Sequence, residues 1–346
     1  MNPVSDTARL GFCCTYVSPT GSREEVEALN MKTVTMAWLA RQTPAAAFDR
    51  LSAIVRHNLD TLDRQIAYVA SLPPLERMFR IVSNFLPGWS HPTAMPLYRD
   101  ADLRALIERR LAAAGEAARA GDVRLSMHPG QHAILATLRE SALENAITDV
   151  MDHVQIFAMM GYAGWHPHGA HINIHGGAGS VGIDGVRHGL AKLPREARDL
   201  LTIENDEMSF GLDDLLEVAD DTAIVVDFHH HWIKSRGEWL QPDDPRVERL
   251  KASWRGVRPA AHISVSREVL YSELLTDDLP DYPALSAAGF KASELRGHSD
   301  LMWNHAVNDL VARHLAWCDV EVEAKAKNLA SAGLAAHVRQ GTFAPA

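Results

Sequence analysis

Short apolar runs alternate with longer stretches of helical periodicity along most of this chain. Eight of the runs read as strands, at 9–14, 78–83, 123–128, 170–175, 200–204, 223–227, 259–265 and 319–325. None alternates strictly between apolar and polar residues, as expected of strands buried on both faces. Between the first two, Phe48, Leu51, Ile54, Val55, Leu59, Leu62, Ile66 and Val69 recur at helical spacing. Thr43 followed by Pro44 supplies a cap and a first-turn proline, so a helix is predicted over 44–72. Further helices are predicted at 100–120, 140–160, 187–200, 212–219, 246–252 and 300–317. Strands and helices in strict alternation predict a parallel sheet, and eight such units predict a TIM (β/α)8 barrel. One domain is expected over 1–346, with its core at 9–327. Residues 266–298 form the longest irregular connection, and the Ala- and Gly-rich tail from 328 is expected to fray.

The ends of the strands add chemistry to this plan. Six of the eight runs stop on, or next to, a His, Asp or Glu. They are Arg124-Leu-Ser-Met-His128, His171-Ile-Asn-Ile-His175, Leu201-Thr-Ile-Glu204, Ile224-Val-Val-Asp227 with His230 just beyond, Ala260-Ala-His262 and Val320-Glu-Val-Glu323. In this fold the C-terminal strand ends carry the site. A lone strand-end His or carboxylate is usually a hydrogen-bonded structural residue. Six of them converging on one mouth imply a shared cation, because charged side chains are almost never buried unpaired. Pro129 and Gly130 break the chain after His128, and Gly176-Gly177 follow His175. Glu204-Asn-Asp-Glu207 is costly to bury without a compensating cation. Imidazoles and carboxylates without thiolates suit catalytic Zn²⁺, Mn²⁺ or Fe²⁺ rather than a structural zinc. His57, His153, His188, His314 and His337, on helical or tail segments, read as ordinary surface histidines. His166 and His168 are assigned to neither class.

Composition narrows the class. With 47% apolar and 23% charged residues the chain has the makeup of a soluble globular protein. No apolar run is long enough to span a bilayer, and the first ten residues hold no secretory segment, so a cytoplasmic protein is expected. Cys13, Cys14 and Cys318 lack metal-type spacing and are expected to be reduced. The net charge of −10 speaks against a generic nucleic-acid binder. Bound divalent cations would offset part of that charge within one cleft, where the local field governs phosphate binding.

Taken in order, the motifs resemble those of the ultraviolet damage endonuclease family. The segments are Arg9-Leu-Gly-Phe12, Phe79-Arg-Ile-Val-Ser83, Ser90-His-Pro92, Leu125-Ser-Met-His-Pro-Gly-Gln131, His175-Gly-Gly177, Glu204-Asn-Asp-Glu207, Asp227-Phe-His-His230, His262-Ile-Ser264 and Val322-Glu-Ala-Lys325. The resemblance implies a TIM barrel related to endonuclease IV, which nicks DNA just 5′ to ultraviolet photoproducts. It implies two or three divalent metals, commonly Mn²⁺, with Zn²⁺ or Mg²⁺ as alternatives. The expected partner is double-stranded DNA carrying ultraviolet lesions, with no membrane, and the chain is expected to be a monomer. By motif, His128, His175 and Glu204 would hold one metal. Glu204 would bridge to a second on Asp227, His262 and Glu323, and His230 with His298 would hold a third. The resemblance makes Glu204, His230 and His298 the candidate catalytic residues, and His91, Gln131, His132 and Asn205 the candidate substrate contacts.

Two departures touch the working parts. A lysine commonly stands two residues before the His of the seventh strand, beside the third metal, where this chain has Ala260. A Tyr or Phe commonly follows the Gly-Gln pair to probe the duplex, where this chain has His132. The competing reading is a xylose-isomerase-like sugar isomerase or epimerase, which predicts one or two metals and a closed pocket. A non-catalytic nucleic-acid binder on a degenerate barrel is disfavoured, because the main ligands are all present.

Overall fold

The computed structural model describes Ser5 and residues 7–130, 133–270 and 277–341. All eight expected strands form, trimmed at their ends. They are β1 Leu10–Cys13, β2 Met78–Ile81, β3 Arg124–Met127, β4 His171–His175, β5 Leu201–Glu204, β6 Ala223–Asp227, β7 Ala260–Ile263 and β8 Asp319–Val322. Each pairs in parallel with the next, and β8 pairs back onto β1 through Leu10 and Val320, closing a TIM barrel. Outward residues such as Leu10, Phe12, Leu125, Ile172, Ile174, Val320 and Val322 join one continuous core with the surrounding helices.

The Pro44–Ser71 helix forms as its spacing predicts, with the Thr43 hydroxyl accepting the Ala46 N–H. The expected helix over 187–200 is instead two, Ile183–Lys192 and Arg195–Arg198. Pro194 lacks an N–H and disfavours helical backbone at the residue before it. The late helix starts only at His305, where the Asn304 side chain caps it by accepting from Val307 N at 2.8 Å. From 328 to 340 the tail does not fray. Asn328–Gln340 is a helix that buries Ala330, Leu334, Ala335 and Val338 against the barrel. The helix Phe228–Ser235, absent from the sequence-based expectation, begins directly at the end of β6 because Asp227 caps it, accepting His230 N–H at 2.7 Å. Among the described residues no helix is long and apolar enough to cross a membrane.

The barrel interior is polar in layers. On β8 the two valines point outward, while Asp319, Glu321 and Glu323 face across the interior at three successive levels. Asp319 meets Arg124 at 2.8 Å and Arg258 at 2.6 Å near the floor. Glu321 meets Arg80 at 2.6 Å in the middle, where it also accepts from Ser126. Met78, Ala223, Val225, Trp254 and Ala260 close the floor with a small apolar cluster. Ala260 is therefore part of the floor packing, one inward level below His262.

Candidate metal centre

Strand register assembles the centre. The β4–β5 pairing sets His175 beside Glu204, and the β6–β7 pairing sets Asp227 beside His262. His128 lies one residue beyond β3. Glu323 lies one residue beyond β8, held on the ladder by its N–H to Ile263 O at 2.8 Å. Three groups of ligand atoms result, each within 4.8 Å of one another: His128, His175 and Glu204; Glu204, His262 and Glu323; and Glu204, Asp227 and His230. Glu204 is common to all three. Its Oε2 lies 3.5 Å from His128 Nε2, and its Oε1 lies 3.0 Å from His262 Nδ1 and 3.4 Å from His230 Nδ1. Asp227 thus falls with Glu204 and His230 rather than with His262 and Glu323, because its side chain also caps the helix that carries His230.

The donor set fits divalent cations. Glu204 and Asp227 are 1% and 0% exposed, yet Glu204 Oε1, Asp227 Oδ2 and His175 Nδ1 are buried without a hydrogen-bond partner. Buried polar atoms are normally satisfied, and here the lone pairs face one another. Ligand spacings of this size suit bond lengths of about 2.0–2.2 Å to a metal. The Nδ1 atom of His128 sits 2.8 Å from Pro129 O, which turns Nε2 toward Glu204.

The electrostatics point the same way. Burial pushes the Glu204 carboxyl up, but the His262 and His175 imidazoles outweigh it and hold it well below the usual range. Burial pushes His262 down, but Glu204 opposes it and the balance is a rise to about 10. His230 follows the same pattern: burial lowers it, and Asp227 and Glu204 raise it well above normal. These carboxylates demand positive charge, whether from protons or from cations.

A ring of supporting residues holds the ligands. Asn173 donates to Glu204, and its carbonyl accepts from Thr202 Oγ1 at 2.9 Å. Arg80 spans the middle and upper levels, with Nη1 2.6 Å from Glu323 and Nη2 2.7 Å from His262 Nε2. Glu207 reaches within 3.8 Å of His230 Nε2 and 3.3 Å of Arg296. Sequence reasoning assigned no role to Arg80 or Glu321. The available signal was a charged residue inside a barrel strand, which must face partners across the interior.

The remaining sequence-based candidates divide. Asn205 is fully buried and clamps β5 to β6, accepting Asp227 N–H at 2.9 Å and donating to Asp227 O at 3.1 Å, so its side chain is committed to the neighbouring strand. His298 lies beside the centre, its ring centroid 6.3 Å from that of His230 and its Nδ1 2.6 Å from Glu323 O. It joins no group of three ligands among the described residues. His91 is exposed on the connection after β2 and lines a cleft of about 810 Å³ with Ser83, Trp89, Gly130, Asp152 and His153. Gln131 and His132 lie outside the described residues. His153 and His314 are buried, contrary to the surface reading, because Ser83 Oγ meets the first at 2.8 Å and Leu240 O meets the second at 2.9 Å.

The chain is similar to known proteins in both fold and sequence. The crystal structure of SacUVDE superposes with a TM-score of 0.72 at 21% identity, covering 96% of this chain and 98% of that one. A Bacillus cereus protein named UV DNA damage endonuclease is 26% identical over 254 residues, 68% of this chain and 73% of that protein. Its namesake from Bacillus velezensis is 24% identical over 313 residues, 86% of each. The family model described as UV-endonuclease UvdE matches residues 8–340, a span that includes every ligand of the three groups, and the chain belongs to that family.

Proposed function

We propose that this protein is a metal-dependent endodeoxyribonuclease that nicks duplex DNA on the 5′ side of ultraviolet photoproducts. The observation that carries the reading is the sharing of Glu204 among three ligand groups at the mouth of a barrel of this family. His128, His175 and Glu204 would hold one cation, and Glu204, His262 and Glu323 a second. Asp227, His230 and Glu204 would hold a third, with His298 beside it. Divalent cations, with Mn²⁺ the first choice, supply an acidified water and positive charge for the scissile phosphate and its leaving oxygen.

The chain's own residues set up that chemistry. Asn173 donates to the Glu204 carboxylate and Asn205 clamps the main chain of Asp227, so that both residues are positioned before any ligand arrives. Arg80 braces Glu323 and His262 from below and keeps that side of the centre dry, being 5% exposed. The cleft beside His91 and Gly130 offers room for a strand running past the metals. The −10 net charge leaves the cations as the main local attraction for phosphate.

The test is incubation with Mn²⁺ and supercoiled plasmid, irradiated or not. Nicks confined to irradiated plasmid, with ends mapping 5′ to the lesions, are expected. Equal nicking of both plasmids, or of neither, would overturn the assignment.

A further inference from the structure

Six large apolar side chains are exposed among the described residues: Val26, Met95, Leu138, Met208, Val269 and Leu301. All six lie on connections that leave a strand and lead to the next barrel helix, the face that carries the metal centre. Scattered exposed apolar residues are ordinary on a protein surface. Their confinement to one face is not.

Met208 differs from the others in how firmly it is mounted. It is 70% exposed at the tip of the turn that follows Glu204. The buried Asp206 carboxylate accepts the N–H groups of Met208 at 2.7 Å, of Ser209, and of Phe210 at 3.2 Å. Asp206 N–H closes the turn onto Phe210 O at 2.9 Å. From the helix after β6, Lys234 Nζ binds Ser209 O at 2.9 Å and Met208 O at 3.2 Å. From the connection after β4, Gly176 and Gly179 press against the same turn. A Cβ on Gly176 would stand 2.8 Å from Phe210 Cδ2, and one on Gly179 would stand 3.1 Å from Ser209 Cα. The turn is fixed on three sides, and the residue it presents to solvent is an unbranched, polarizable thioether. The neighbouring Glu207 reaches to within 3.8 Å of His230 Nε2.

We propose that Met208 is an apolar wedge that enters the base stack beside the scissile phosphate and holds the damaged step open. The inference rests on the endonuclease reading above. Apolar side chains on rigid mounts unstack and kink a duplex when inserted at a base step, and a damaged step opens at lower cost than an intact one. Methionine suits an irregular gap because it adapts its shape without a polar group to desolvate. The short distance along the chain from Glu204 to Met208 ties the opened step to the cleaved bond.

Two duplexes test it, one with a single thymine dimer fully paired and one with the same dimer opposite mismatched bases. The Met208→Gln variant is expected to nick the paired duplex roughly tenfold more slowly and the pre-opened duplex at close to the wild-type rate. The Met208→Leu variant should keep most of the activity on both. Metal content, measured in parallel, should be unchanged. Independently of cleavage, 2-aminopurine placed opposite the lesion should brighten on binding wild type without added metal and stay dim with Met208→Gln. Wild-type rates for Met208→Gln on both duplexes, or equal losses on both, would overturn the proposal. If wild type nicks neither duplex, the endonuclease reading fails, and the fluorescence alone decides whether Met208 opens base pairs.

Discussion

The two ends of the barrel interior both bury carboxylates, but they treat them differently. At the floor, Asp319 is fully engaged: Arg124 Nη1 lies 2.8 Å away, Arg258 Nε 2.6 Å and the Arg9 main-chain N–H 2.9 Å. At the mouth, Glu204 and Asp227 each keep a buried oxygen without a hydrogen-bond partner, surrounded by imidazoles. Buried carboxylates of this kind demand compensating positive charge, which the raised His262 and His230 imidazoles or a bound cation can supply. At the floor the Asp319 carboxylate is met by arginines of the chain and serves the fold, although Arg124 Nη2 there also has no hydrogen-bond partner. At the mouth the carboxylates lie among imidazoles in a donor set that would suit cations. Arg80 and Glu321 form the layer between, pairing with each other while Arg80 also touches two candidate metal ligands, Glu323 and His262.

The contrast breaks most sharply at Glu204. Glu204→Gln keeps the shape and removes the charge shared by all three groups. Nicking of irradiated plasmid should fall by roughly a thousandfold or more, since the bridging charge that holds adjacent cations is gone. Metal retained after gel filtration should fall with it, while the melting temperature stays the same or rises. The matched change at the floor, Asp319→Asn, should do the reverse. Leaving Arg124 buried without its carboxylate costs about 3–5 kcal/mol by denaturant unfolding. Metal content per folded chain should not change. If Asp319→Asn lost metal and kept its stability, the division of roles between the two ends would be wrong.

Most of this arrangement was legible before the structure. The eight strands are found close to their expected places because buried parallel strands leave an apolar signature that needs no knowledge of partners. The candidate ligands at six strand ends follow from the same pattern. What escaped was whatever depends on distant residues. Arg80 and Glu321 are 241 positions apart and meet only when the barrel closes. Asn205 is a candidate substrate contact by resemblance, and only the neighbouring strand shows that its side chain clamps Asp227. The tail looked weak from its Ala and Gly content, yet docking of Leu334 and Val338 decides its structure. His314 looked exposed on a helix that in fact turns it into the core.

His314 extends the comparison from carboxylates to imidazoles. At the mouth, carboxylates raise His230 and His262; in the wall, burial, aided by Arg313, outweighs the hydrogen bond to Leu240 O and brings His314 down to about 4. Its Nε2 faces Leu240 O at 2.9 Å and its Nδ1 accepts from Trp317 Nε1 at 3.0 Å, which defines a neutral ring. The unfolded chain binds a proton here below about pH 6.5, and the folded chain does so only near pH 4. Stability from this group is therefore present above pH 6.5 and is lost as the pH falls toward 4, by about 3 kcal/mol in all. His314→Gln, which does not titrate, should show a correspondingly flatter loss of stability between pH 7 and 4. Parallel slopes for the two proteins would show that His314 is not held neutral.

The smallest effect is expected at His298, which stands at the edge of the mouth and tests how far the open region extends. Its Nδ1 is committed to Glu323 O, leaving Nε2 as the ligand atom, yet it completes no group of three among the described residues. Its nearest ring neighbours are His229 at 5.8 Å and His230 at 6.3 Å between centroids. A cation held there would have fewer protein ligands than one beside Glu204, and so a weaker hold. Titration with Mn²⁺ should show tight sites followed by one weak site, and His298→Ala should remove only the weak one. Nicking should fall about tenfold, the scale typical of losing one supporting ligand, and should recover as Mn²⁺ is raised. His230→Ala, which takes a ligand from a complete group, should be worse and should not recover. Equal losses in the two variants would make His298 a full member of the centre and move the boundary of the open region outward.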